Sequence, residues 1–264
     1  MFGEYFIIIL LSGILGAIFG SFINVVAIRT HEDSSLLGRS QCPVCKKKLK
    51  PRHLIPILSW LIQKGRCAYC GRKISIQYPL VEFGAFVLGV VASSRFLLGL
   101  DLNLVIFEFA LMMVLLIFVV MDLRWMELPL ELMVGTGIVF TLWYMLLEVS
   151  WGMSISEVAW SHLIGFSVLT MFFLLQWFVS RGRWIGVGDI WLGAVLGAIL
   201  GWPLVGLSLY FSYIIGGGVA LFLLLLKKIK TGTRVPFAPA LIAGAIISLW
   251  WGNIILSWLN YALE

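Results

Sequence analysis

Two aspartates carry the chemistry that this chain offers. Asp122 ends one long apolar run, and Asp189, in Gly186-Val187-Gly188-Asp189, opens another. A carboxylate at the edge of hydrocarbon is costly and is rarely idle. Two carboxylates brought together cannot both ionise comfortably, so they share one proton and titrate as a unit. The ionised partner can then take a proton from water while the protonated one polarises a carbonyl, which is enough to hydrolyse a peptide bond without a metal or a nucleophilic serine. Gly186 and Gly188 lack side chains, so their backbone can approach an extended strand closely. Singly, each aspartate has a plainer reading. Asp189 suits a helix N-cap, and Asp122 a helix end paired with Arg124. Glu82, Glu127 and Glu131 are further candidates for holding a substrate or supporting the pair, whereas Glu108 falls nearer the other end of its apolar run.

The second constellation is Cys42-Pro-Val-Cys45 and Cys67-Ala-Tyr-Cys70, which hold all four cysteines of the chain. Two Cys-x-x-Cys knuckles at this separation match a four-thiolate zinc site. Gly71 suits the tight turn a knuckle needs, and nearby lysines and arginines favour thiolate. Disulfides, another metal or an iron–sulfur cluster are the alternatives. With four protein ligands a zinc ion has no open position, so its role would be to fold a loop too polar to build a core. His31 and His53 read as surface residues, and His162 as a hydrogen-bonding residue between helices.

The elements that must position these groups are apolar. Hydrophobic residues make up 61% of the 264 and charged ones only 12%, which places the chain among integral membrane proteins. Apolar runs predict an all-α polytopic fold of about eight transmembrane helices, near 5–28, 79–98, 103–121, 130–149, 158–179, 189–202, 204–226 and 236–259. The break at Gly201-Trp202-Pro203 divides a run too long for one span. The 189–202 run is short, suggesting a tilted or partly inserted helix. The first run is long enough to span and has no basic leader before it, so it is expected to be a helix and not a cleaved signal. The expected organisation is a first helix over 1–28, a tetracysteine loop over 29–78 and a seven-helix core over 79–264.

Eighteen of the 19 Lys and Arg fall in the loops at 29–78, 122–129, 180–188 and 227–235, which eight spans place on one face; Arg95 alone lies towards the other. The positive-inside rule makes that face cytoplasmic, with both termini outside. Asp122 and Asp189 then share the cytoplasmic side. The net charge of +6 reflects these loops and predicts no nucleic-acid partner. No internal repeat is present, and Gly216-Gly217-Gly218, inside an apolar run, reads as close helix packing and not as a nucleotide fingerprint.

Over nearly its whole length the chain resembles the bacterial prepilin peptidases, also called leader peptidase/N-methyltransferases. The matching stretches are Gly20-Ser-Phe-Ile-Asn-Val-Val-Ala-Ile-Arg29, both cysteine pairs, Ile55-Pro-Ile-Leu-Ser-Trp60, Gly65-Arg-Cys67 and Ile74-Ser-Ile-Gln-Tyr-Pro-Leu-Val-Glu82. They continue with Asp122-Leu-Arg, Gly186-Val-Gly-Asp189 and Val235-Pro-Phe-Ala-Pro-Ala240. The resemblance implies a bacterial inner-membrane enzyme that removes the basic leader of type IV prepilins and pseudopilins after a glycine at the cytoplasmic face. It also implies methylation of the new N-terminus by S-adenosylmethionine. The family's catalytic aspartates map onto Asp122 and Asp189, and its cysteine motif onto Cys42, Cys45, Cys67 and Cys70. Departures are Trp191 where a lysine is common, Ala238 in place of glycine, and Leu130 where an acidic residue often stands. An ion-coupled transporter using membrane carboxylates and a non-enzymatic zinc-ribbon scaffold are the competing readings; transport would favour carboxylates at mid-membrane.

Overall fold

The structure, a computed structural model, describes residues 2–230, 233 and 235–263; Arg234 of the last basic loop lies outside them. Nine α-helices form among the described residues: α1 (Phe2–His31), α2 (Leu58–Ile62), α3 (Gln77–Leu97), α4 (Leu102–Trp125), α5 (Leu130–Ser150), α6 (Ile155–Ser180), α7 (Val187–Leu200), α8 (Leu204–Leu225) and α9 (Ala238–Leu263). All but α2 fall on the eight expected apolar runs. Seven are long and apolar enough to cross a membrane, and the chain is a multi-pass membrane protein. The eighth, α7, has 14 residues, about 21 Å against a hydrocarbon core of about 30 Å. Between α1 and α3 the loop holds one 3-10 turn (Pro51–His53), α2 and two isolated antiparallel bridges, Gln41–Lys48 and Arg66–Lys73. The chain divides into two compact units, 1–121 and 122–264.

In the first unit α1 and α3 pack at backbone distance. A Cβ on Gly13 would strike the Phe86 ring, one on Gly16 the Ala85 carbonyl, and one on Gly20 would lie 2.8 Å from the Ala85 Cβ. Small residues at such a seam let dispersion contacts replace the hydrophobic drive that lipid does not supply. Asn24, fully buried, completes the seam: its amide donates to the Gly20 and Tyr78 carbonyls and accepts from Gln77 Nε2 at 3.3 Å. Further along α3, Arg95 makes a two-pronged ion pair with Glu108 of α4, both contacts at 2.8 Å. That pairing gives Arg95 and the buried Glu108 a structural task.

The second unit is built around α7. Nine of its 14 residues are buried, so it lies among α5, α6, α8 and α9 and its length need not match the bilayer. It reaches backbone contact with α6, where a Cβ on Gly165 or Gly197 would strike the other residue's carbonyl, and one on Gly193 would enter the Phe173 ring. The far end of α7 is tied down as well. His162 of α6 contacts the Ala198 carbonyl through Nδ1 (2.6 Å) and Glu148 of α5 through Nε2 (2.8 Å). Ser161 Oγ donates to the Trp202 carbonyl at 2.9 Å. His162 is therefore the interhelical hydrogen-bonding residue expected. The glycine triplet is a partial correction: Gly216 packs on Phe237 and Ala240, but Gly217 and Gly218 face open space.

These contacts set a stability test. Gly197→Ala forces α6 and α7 apart and should cost about 2–3 kcal/mol. Gly217→Ala, on an open face, should be neutral or mildly stabilising. Thermal unfolding in detergent separates the two; equal melting temperatures would show that the close seam does not hold this unit.

Candidate functional site

Asp189 is the third residue of α7, one turn inside the helix and not at its cap. Its Oδ2 reaches back to accept the Gly186 N–H at 3.0 Å. This satisfies one of the donors that a helix start leaves unpaired and places negative charge where the helix dipole favours it. The cap reading and the pair reading are thus compatible, because the cap employs only one oxygen. Gly186 is open towards solvent, its nearest neighbour being the Asp189 carboxylate, while Gly188 lies against Leu128. Of the two glycines, only Gly186 has room for another chain beside it.

Asp122 also sits inside a helix, in the last turn of α4. The expected end at residue 121 falls short, since a protein donor satisfies the carboxylate and α4 continues to Trp125. That donor is the Ala238 N–H, 3.0 Å from Asp122 Oδ2. Arg124, the partner considered from sequence, lies over the Trp125 indole, 4.6 Å from its centre. Ala238 is the first residue of α9 and stands between Pro236 and Pro239. Neither proline has an N–H, so Phe237 and Ala238 are the donors of that turn. Sequence reasoning quoted this motif without giving it a task; its trace was an orphan donor framed by prolines. Asp122 is buried, 6% exposed, with Asp189 near enough for its charge to bear on it. The two carboxylates thus form an interacting pair within one unit, each held through one oxygen by a backbone N–H.

Around this pair lies an aromatic cluster that sequence reasoning did not single out. Phe237 packs on Phe173 and on Tyr213, with centroids at 6.1 and 5.4 Å. The Tyr213 hydroxyl exchanges a hydrogen bond with Gln176 (2.8 Å to Oε1) and lies within reach of the Asp189 charge. Glu127 and Glu131 are exposed, on the segment whose Leu128 packs against Gly188. Glu82, in the first unit, is buried and accepts the Ile57 N–H at 2.6 Å. This bond holds Ile57 at φ 63°, a left-handed conformation costly for a β-branched residue, and so fixes the 55–60 segment to α3.

The four cysteines converge. Their sulfurs all lie within 4.8 Å of one another, with Cys42 and Cys70 at 3.9 Å; a tetrahedron of metal–sulfur bonds near 2.3 Å has edges of about 3.8 Å. The two knuckles share one backbone design. Cys42 N–H donates to Lys47 O and Cys67 N–H to Arg72 O; Lys46 N–H returns to Cys42 O and Gly71 N–H to Cys67 O. Lys46 and Gly71 both adopt positive φ, at 56° and 68°. Only Gly71 announced that turn in the sequence. Burial pushes the Cys42 thiol up, but the Cys45 and Val44 N–H groups and neighbouring thiols outweigh it and bring it to about 7. For Cys70 the Arg72 N–H favours thiolate, yet desolvation and the other three sulfurs raise it to about 11. One thiol of the cluster thus gives up its proton more readily and another holds it more tightly, and a cation among the four sulfurs would favour thiolate.

Residues 14–96 match the bacterial Peptidase A24 N-terminal domain, and residues 109–221, which include Asp122 and Asp189, match the type IV leader peptidase family. Among curated proteins, the prepilin leader peptidase/N-methyltransferase of Bacillus subtilis (strain 168) is 33% identical over 92% of this chain and 94% of its own. Its namesake in Myxococcus xanthus (strain DK1622) is 35% identical over 88% of this chain and 67% of its own. That of Stutzerimonas stutzeri is 29% identical, covering 94% and 93%. No solved structure matches the chain. The resemblance drawn from the motifs is thus matched over most of the chain, and the chain belongs to the type IV leader peptidase family.

Proposed function

We propose that this protein removes the basic leader of prepilins or pseudopilins by aspartate-pair hydrolysis and then methylates the new N-terminal amine. The observation that carries the reading is the pair itself. Asp122 and Asp189 lie in the region shared with the family, and they interact while each keeps one oxygen clear of its backbone donor. The pair holds a single proton. The ionised carboxylate takes a proton from water as the hydroxyl oxygen attacks the carbonyl carbon, and the protonated carboxyl donates to the carbonyl oxygen. Collapse breaks the C–N bond, and a proton passes to the leaving amine. Open space at Gly186 lets an extended substrate strand lie along the start of α7. Transport and scaffold readings gain no support, since both aspartates lie one turn from a helix end and the relatives are named as peptidases.

S-adenosylmethionine, when bound, supplies the methyl group for the amine released by cleavage; we assign it no residues of this chain. The membrane is the bacterial inner membrane, with the cysteine loop and the aspartates on the cytoplasmic side, as the distribution of Lys and Arg favours. The metal is zinc, held by Cys42, Cys45, Cys67 and Cys70. Held by four thiolates, it would serve to fold the 29–78 loop and would supply no chemistry to hydrolysis.

Three outcomes follow. Asp122→Asn and Asp189→Asn should each lower cleavage of a leader-bearing pilin segment by about 10³-fold while the protein stays folded in detergent; appreciable turnover by either would strike that residue from the assignment. Protein purified under reducing conditions should carry one zinc per chain, and chelation should expose the 29–78 loop to protease before any membrane helix melts; metal-free protein with a protected loop would remove the zinc. Charge reversal at exposed Glu127 and Glu131 should raise KM for a basic leader more than for a neutral one. Equal effects on both leaders would exclude these glutamates as the leader's partner.

A further inference from the structure

α6 packs closely on α7, and α8 on α9, whereas α6 and α8 touch at few points. Beside the seam lies a wide-open hollow of about 460 Å³, lined by Phe172 of α6 and by Gly206, Leu209, Tyr210, Tyr213 and Ile214 of α8. Its volume falls within the range of ligand sites, about 300–1,000 Å³. On α8, Gly206, Tyr210, Tyr213 and Gly217 recur at helical spacing along one face, and both glycines look into open space. One polar contact closes the inner end: the Gln176–Tyr213 hydrogen bond, with Tyr213 40% exposed. A polar pair facing the hydrocarbon side is costly and is therefore a candidate for function.

The location of that pair gives the groove its meaning. Tyr213 lies within reach of the Asp189 charge. Its ring also packs on Phe237, the residue before the Asp122 donor Ala238. From Tyr213 the groove runs outward along α8 to Gly206, seven residues or about 10 Å away. Resting on the peptidase reading above, we propose that this groove seats the apolar helix of the substrate, the segment that follows the scissile bond, and that the Gln176–Tyr213 pair parts to pass its backbone towards Asp189. Direction and chemistry favour this occupant. The segment after the cut continues away from the aspartates into the bilayer, as the groove does. Glycines on the groove face allow a helix backbone to approach. A peptide can also return the hydrogen bonds that Gln176 and Tyr213 give up, which a lipid tail cannot.

The probe is a synthetic prepilin segment with a basic leader, a glycine and a 20-residue apolar helix, presented to the full chain in lipid nanodiscs. A photo-reactive phenylalanine analogue at Ile214 should cross-link the probe within its apolar helix, and unlabelled segment should compete. Gly206→Trp, at a position where an added Cβ meets nothing within 4 Å, should obstruct the outer groove and raise KM about tenfold with kcat within twofold. Cross-links only to lipid or to a second copy of the chain would overturn the proposal, as would an unchanged KM in Gly206→Trp. Wild-type protein that fails to cut the probe would instead strike the peptidase reading, so the two failures are distinguishable.

Discussion

A carboxylate inside a membrane helix must find a donor in the protein, and Asp122 finds it in the Ala238 N–H at the start of α9. Much of the second unit is arranged around that bond. Because α9 opens between two prolines, the donor is an N–H that no helix turn claims, and it meets a carboxylate that no water need satisfy. The same turn carries Phe237 into the ring cluster of Phe173 and Tyr213, so the anchoring of Asp122 and the lining of the aromatic cluster are one packing event.

Asp189 is placed by a different constraint, the depth at which α7 sits. A 14-residue helix would be a poor span by itself, yet burial among its neighbours relieves it of that duty. Gly165 and Gly197 bring α6 and α7 to backbone contact. This fixes how far α7 slides along α6 and hence where its first turn, with Asp189, ends up. The cap onto Gly186 then sets the rotamer of the carboxylate. Position comes from small residues and orientation from one hydrogen bond.

Much of this was legible in residue types. Eight apolar runs, two Cys-x-x-Cys pairs and two aspartates at run edges are patterns of composition and spacing, and they led to the helices, the cysteine cluster and the interacting pair. What stayed hidden was carried by the backbone. Nothing in the Ala238 side chain marks its N–H as a partner for Asp122, 116 residues away. Lys46 turns through positive φ where its counterpart is Gly71, because the knuckle's hydrogen bonds impose the turn irrespective of side chain. Glu82 stood among candidates for holding a substrate or supporting the pair, and no spacing foretold that it also accepts the Ile57 N–H and ties the 55–60 segment to α3. Tyr213 and Gln176 were lost among apolar neighbours because no spacing rule links residues on different helices.

The tie at the far end of α7 divides the second unit mechanically. The Ala198 carbonyl can only accept, so Nδ1 of His162 carries its proton towards α7 while Nε2 engages Glu148 of α5. Sliding α7 past its neighbours would break the His162–Ala198 contact to α6 and strip the Gly165–Gly197 seam at the same time. Parting α8 from α6 breaks the exposed Gln176–Tyr213 contact and the Phe172–Tyr213 edge-to-face contact. Deformation by a guest chain would therefore fall on the outer part of α8, away from the α9 turn that holds Asp122, while α5, α6 and α7 act as the anvil against which Asp189 keeps its place.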